Sequence, residues 1–97
     1  MNEKYVQVLR ELVQKRYGCP TRYAQTVAVK EEVNGQTVWA GNIEIFDLAG
    51  HAQARQCFAW GQKDAEGRMQ YVTSLKVPPV DTARHAVQAY LASQKNS

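Results

Sequence analysis

The sequence predicts a single α+β domain in which two helices flank a four-stranded antiparallel sheet, in the order α-β-β-β-β-α. Apolar residues recur at helical spacing near both ends, apolar and polar residues alternate between them, and short turn signals separate the alternating stretches. The chain has 97 residues, the usual size of one domain. We therefore expect residues 1–97 to form one domain, with residues 94–97 frayed.

Each predicted helix has one apolar face. The first, residues 3–17, stops at Gly18, a residue that readily adopts the left-handed conformation of a helix C-terminus. The last, residues 82–93, can be capped by Asp81 or Thr82. The apolar faces consist of Tyr5, Leu9, Leu12 and Val13 in the first helix and of Ala83, Val87, Tyr90 and Leu91 in the last.

The predicted strands cover residues 22–33, 36–48, 53–62 and 68–77. Asn34-Gly35 between the first two strands predicts a tight hairpin turn, because both residues tolerate a positive φ. Gly41 indicates a bulge or a close approach of backbone, and Phe46 and Leu48 break the alternation, which favours a register shift nearby. Since every connection between strands is short, we expect an antiparallel meander.

Both helices are expected to pack on one face of this sheet, with Ile43 and Ile45 beneath them, which leaves the other face open. An open face with an apolar centre and a polar rim is typical of a protein-binding surface. We therefore expect a protein–protein interaction module, as a homodimer or with another protein partner. The candidate binding residues are Val38, Phe46, Val72 and Trp60. The expected core residues are Leu9, Leu12, Val27, Ile43, Leu75, Val87 and Leu91.

Charge favours an alternative function, nucleic-acid binding. The net charge is +3, and residues 1–30 hold six basic residues and two acidic ones. Lys15, Arg16 and Arg22 are the candidate contacts for phosphates. Helix, sheet, helix is also the order of the double-stranded-RNA-binding fold, but residues 79–84 lack the lysine cluster which that module needs. Protein interaction is therefore preferred.

A third alternative is a small enzyme, with Asp47 and His51 orienting a base near a Cys57 nucleophile. The more ordinary interpretation is that Asp47 and His51 belong to a turn and that Cys57 is a buried, unreactive thiol. His85 is expected to be a solvated surface residue. The two histidines and two cysteines show no metal-ligand spacing, and no glycine-rich phosphate loop occurs, so neither a metal nor another cofactor is predicted.

The cysteines and the first residues of the sequence indicate the cellular compartment. Cys19 and Cys57 form no C-x-x-C motif, residues 1–5 do not start a signal peptide, and no apolar run reaches the length of a membrane helix. We expect a cytoplasmic protein with no membrane partner. Both thiols should then be unpaired, with Cys19 the more exposed.

Several short strings carry a resemblance between residues 38 and 79. They are Trp39, Phe46-Asp47-Leu48, Gly50-His51, Ala59-Trp60 and, just beyond, Pro78-Pro79-Val80-Asp81. In these the chain resembles short bacterial proteins with no assigned activity. The resemblance implies a bacterial origin and brings no ligand or catalytic residue with it.

Overall fold

The computed structural model describes residues 3–95. Its elements confirm the predicted order, and every boundary lies within three residues of the predicted one. Residues 96 and 97, at the end that was expected to fray, lie outside the described residues, whereas the last helix continues through Gln94 to Lys95. The elements are helix α1 (Glu3–Tyr17), strands β1 (Thr21–Val33), β2 (Gln36–Leu48), β3 (Gln56–Lys63) and β4 (Met69–Leu75), and helix α2 (Ala83–Lys95).

Local chemistry explains where these elements begin and turn. Asn34 and Gly35 both have positive φ, 52° and 80°, which is the backbone of the tight hairpin that the sequence predicts. Thr82 caps α2, because its Oγ1 accepts the backbone N–H of His85 at 3.1 Å. No helix between residues 3 and 95 is long and apolar enough to cross a membrane.

The sheet is a meander of order β1-β2-β3-β4, and its central ladder is short. Strands β2 and β3 pair only from Glu44↔Ala59 to Asp47↔Gln56. Beyond Glu44 and Ala59, residues 36–43 and 60–63 of the two strands are not paired with each other. The hairpin of β1 and β2 therefore diverges from the hairpin of β3 and β4 toward one end of the sheet.

The two helices lie on opposite faces of the sheet, so the expectation that both cover one face is wrong. Ile43 and Ile45 pack beneath α2, whereas Phe46 and Leu48 pack beneath α1. Successive residues of a strand point to opposite faces, and the run from Ile43 to Phe46 is buried throughout. The broken alternation in β2 thus reflects burial on both faces of the sheet.

Register shifts do occur, and they fall on other residues than Gly41. One leaves Ala24 of β1 unpaired between Tyr23↔Phe46 and Gln25↔Ile45, close to the predicted position but on the partner strand. The other leaves Val38 of β2 unpaired. Gly41 instead makes room for an indole ring, since a Cβ built there would lie 3.1 Å from Cη2 of Trp39.

The core consists of two clusters, one under each helix. Leu9, Ile43 and Val87 are fully buried, as predicted. Leu12, Val27, Leu75 and Leu91 are only partly buried, because two thin layers bury fewer residues completely than one thick layer does. Large aromatic side chains on the two faces fill the centres of the clusters, namely Phe46 beneath α1 and Phe58 and Trp60 beneath α2.

Candidate functional site

The four residues expected on an open sheet face do not share a surface. Phe46 and Trp60 are 0% and 1% exposed and lie beneath different helices. Val72 is half-buried against the cluster beneath α2. Val38 is 48% exposed at the register shift in β2. The expected open face is therefore absent, because each face of the sheet carries a helix.

The basic residues proposed to contact phosphates are anchored apart from one another. Arg16 Nη1 donates to Thr73 Oγ1 on β4 at 2.9 Å. Arg22, on β1, pairs with Asp47 at 3.3 Å. Strands β1 and β4 are the two opposite edges of the sheet. Lys15 is exposed on α1. Because Arg16 and Arg22 are held at opposite edges of the sheet, the three side chains do not form one basic patch.

The groups of the alternative Cys-His site have other partners. His51 Nδ1 accepts the backbone N–H groups of Gln53 and Ala54, at 3.1 and 3.2 Å, and so organises its own loop. Asp47 accepts a hydrogen bond from Gln56 at 2.9 Å, and this bond lowers the pKa of Asp47. Burial raises the pKa of the Cys57 thiol to about 12, which keeps it protonated and weakly nucleophilic at neutral pH.

His85 lies at the start of α2, and its imidazole is half-exposed, as expected for a surface residue. Its Nδ1 lies 2.6 Å from Asp81 Oδ1. Within residues 3–95, no three histidine, cysteine, aspartate or glutamate side chains come together as a group that could hold a metal ion.

The outer edge of β1 is the most extended accessible backbone in the described chain. Strand β1 pairs with β2 alone, and within residues 3–95 no backbone bond outside the sheet uses residues 22–33. Gln25 and residues 27–30 line a groove of about 510 Å³, which continues across the α2 face of the sheet to Ile45, Phe58 and Lys76. The unpaired N–H and C=O groups of an edge strand are available to another strand.

The groove has an apolar floor and charged walls. Val27, Val29 and Phe58 contribute apolar surface from the sheet, while Thr82 and Ala83 in the first turn of α2 form one side. The charged lining residues are Lys30, Lys76, Arg84 and Asp81. Such a groove has an apolar floor, unpaired backbone beside it and a net positive charge among its lining residues. It can therefore accept an extended segment of opposite charge.

Two hydrogen-bonded pairs hold these walls in place. Arg84 Nε donates to Glu31 Oε1 on β1 at 2.6 Å, and the Glu31 side chain is 10% exposed. Gln88 Nε2 reaches both Glu31 oxygens, at 3.3 and 3.5 Å. Asp81 is engaged by His85 and Lys30 pairs with Glu32 at 3.4 Å, which leaves Lys76 as the lining cation outside the ion pairs of residues 3–95.

Sequence reasoning missed this edge, although one signal for it was present. Residues 25–29 read Gln-Thr-Val-Ala-Val, which is uncharged, free of proline and rich in strand-forming residues. That signal does not say which strands form the edges or where α2 lies, and the position of α2 beside β1 is what shapes the groove.

No family model, no curated protein and no solved structure matches this chain. The resemblance to short bacterial proteins stays a prediction. We therefore infer function from the edge of β1 and the residues around it.

Proposed function

We propose that this protein is a small interaction module that binds an extended, acidic segment of a partner protein as an added strand along the outer edge of β1. The observation that carries the proposal is the unpaired edge at residues 25–30, five of which border a groove beside the start of α2. Addition of a strand to an exposed sheet edge is a recurrent mode of peptide recognition.

The segment that would accept the strand lacks the usual protections of an edge. Natural edges are blunted by bulges, lysine or proline, and here the unpaired Ala24 and the charged Lys30 stand only at the two ends. Between them lie five uncharged residues. Backbone pairing is available only at the edges of a sheet, and because α1 and α2 cover the two faces, the edges are also where this sheet stays accessible.

Charge selects the class of partner. Three cations, Lys30, Lys76 and Arg84, line the groove with one carboxylate, Asp81. Lys30 and Arg84 already pair with Glu32 and Glu31, so Lys76 is the cation left for a carboxylate of the partner. A partner strand with alternating acidic and apolar residues would place its carboxylates near these cations and its apolar side chains over Val27 and Val29. Such a segment is the occupant to which the proposal commits.

The test uses a fluorescein-labelled peptide of alternating glutamate and valine, titrated with the protein and followed by fluorescence anisotropy. We expect saturable binding that weakens as salt is added. Lys76→Glu should weaken it roughly fivefold, the effect of about 1 kcal/mol at a charged rim. The matched control is Lys4→Glu, the same charge change on exposed α1, which should leave the affinity unchanged.

Amide hydrogen exchange reports whether the peptide joins the sheet. In residues 25–30, the N–H groups that point away from β2 should exchange freely in the free protein and become protected when peptide is bound. Binding without this protection would contradict strand addition. Sedimentation equilibrium tests the other occupant, since a dimer with the same protected amides would assign the edge to a second copy of this chain.

A further inference from the structure

A second site lies where the two hairpins diverge. Past the last pair of β2 and β3, Glu44↔Ala59, the strands separate around a cleft of about 510 Å³. Hydrogen bonds around the cleft link α1 to β3 and β2 to β3. Tyr5 OH accepts the Gly61 N–H at 2.6 Å, and Gln62 Oε1 accepts the indole N–H groups of Trp39 and Trp60 at 3.3 and 3.0 Å.

Glu44 lines this cleft at its closed end and is unusual among the carboxylates of the chain. The residue is 2% exposed. Its neighbours in the sequence are two isoleucines, and its Oε1 accepts a hydrogen bond from Thr26 Oγ1. None of the ion pairs among residues 3–95 includes Glu44. A buried carboxylate with one neutral donor lacks the compensation that a buried charge requires.

The remaining lining of the cleft supplies what an ammonium group binds. Tyr5 and Trp39 contribute aromatic rings, a type of group that attracts cations, and Asn42 contributes an amide. Burial raises the pKa of the Tyr5 hydroxyl, the bond from Gly61 opposes that shift, and the negative charge of Glu44 adds to it. The tyrosine therefore stays neutral, and among the residues that line the cleft Glu44 is the carboxylate.

We propose that the cleft between β2 and β3 binds an alkylammonium group, whose charge is neutralised by the Glu44 carboxylate and whose alkyl chain lies against Tyr5 and Trp39. The group can come from a free amine or from the lysine side chain of a peptide. Lys63 stands exposed at the rim and opposes the entry of a cation, so it limits affinity without filling the site. This site is separate from the β1 edge and does not depend on it.

The experiment titrates the whole protein with butylammonium chloride and, separately, with a capped glycine-lysine-glycine peptide. The readout is the two indole N–H resonances of Trp39 and Trp60 in two-dimensional NMR spectra. Butanol is the matched neutral probe. We expect saturable shifts with butylammonium at concentrations at which butanol gives none. The peptide arm identifies the source, since tighter binding of the peptide assigns the site to lysine side chains.

Two variants test the role of charge. Glu44→Gln keeps the shape and the acceptor for Thr26 and should weaken butylammonium binding about tenfold or more, as expected when a charged hydrogen bond is lost. Lys63→Gln should tighten it. Glu66→Gln, an exposed carboxylate in the turn before β4, is the control and should change nothing. Equal shifts from butanol and butylammonium, or unchanged affinity in Glu44→Gln, would overturn the proposal.

Discussion

The contact between α2 and β1 makes a quantitative prediction about stability. Arg84 Nε lies 2.6 Å from Glu31 Oε1, with the glutamate side chain 10% exposed and the arginine side chain 66% exposed. Breaking a fully buried pair costs about 3–5 kcal/mol, and exposed pairs contribute about 0–1 kcal/mol. Because only the carboxylate is buried here, Arg84→Gln should lower the free energy of unfolding by about 1–2 kcal/mol.

A second variant separates two causes of this loss of stability, namely the buried charge left on Glu31 and the missing contact with Arg84. Arg84→Gln leaves a buried carboxylate with Gln88 as its remaining donor, whereas Glu31→Gln removes the charge itself. The double variant should therefore be more stable than Arg84→Gln alone, with a coupling of at least about 0.5 kcal/mol. Arg55→Gln is the control for an exposed arginine and should stay within about 0.5 kcal/mol of the parent.

Urea and thermal unfolding followed by circular dichroism measure both effects. For a domain of this size, 1–2 kcal/mol corresponds to a fall in Tm of roughly 5–15 °C. If Arg84→Gln unfolds at the same midpoint as Arg55→Gln, solvent has screened the pair and apolar contacts alone hold α2 on the sheet. If the double variant is no better than Arg84→Gln, the burial of Glu31 is not the cause of the loss.

Four other predictions concern the core and the thiols. Phe46→Ala should lower the free energy of unfolding by about 3–5 kcal/mol, since it empties the centre of the cluster beneath α1. Gly61→Ala places a Cβ 3.2 Å from Cε1 of Tyr5 and should cost about 1–3 kcal/mol, with faster exchange of the residue-61 amide as its local signature. In native buffer a thiol reagent should label Cys19 before Cys57. The stabilisation from the protonated Cys57 thiol should be full below its ordinary pKa of about 8.5 and be lost as pH rises toward 12, an effect that alkaline unfolding of Cys57→Ala would lack.

The element order followed from local signals in the sequence. Asn34-Gly35 determined the first hairpin, Gly18 ended α1 with φ of 67°, and Thr82 capped α2. These are interactions between residues close in the chain, so the sequence states them directly. The thiols followed from local context too, since both cysteines are free and Cys57 is the more deeply buried.

The sheet face on which each helix packs could not be predicted from local signals. An amphipathic helix needs an apolar surface, and either face of a sheet supplies one. The deciding residues were Glu44 and Phe46, which are buried on the face opposite Ile43 and Ile45. Both helices were expected on the face of Ile43 and Ile45, which would leave the face of Glu44 and Phe46 open. In the structure each face of the sheet carries a helix. The candidate residues Phe46 and Trp60 are therefore buried and do not form an open binding surface.

Two glutamates buried on opposite faces of the same sheet show how a structural charge differs from a functional one. Glu31, beneath α2, is held by Arg84 and Gln88, so its burial is compensated within the fold. Glu44, toward α1, has one hydroxyl donor and lines a cleft. Replacing a compensated buried charge should destabilise the protein, whereas replacing an uncompensated one by glutamine should leave it as stable or more stable. Opposite signs for Glu31→Gln and Glu44→Gln would therefore support a role for Glu44 in binding rather than in folding, and a large loss of stability in Glu44→Gln would contradict it.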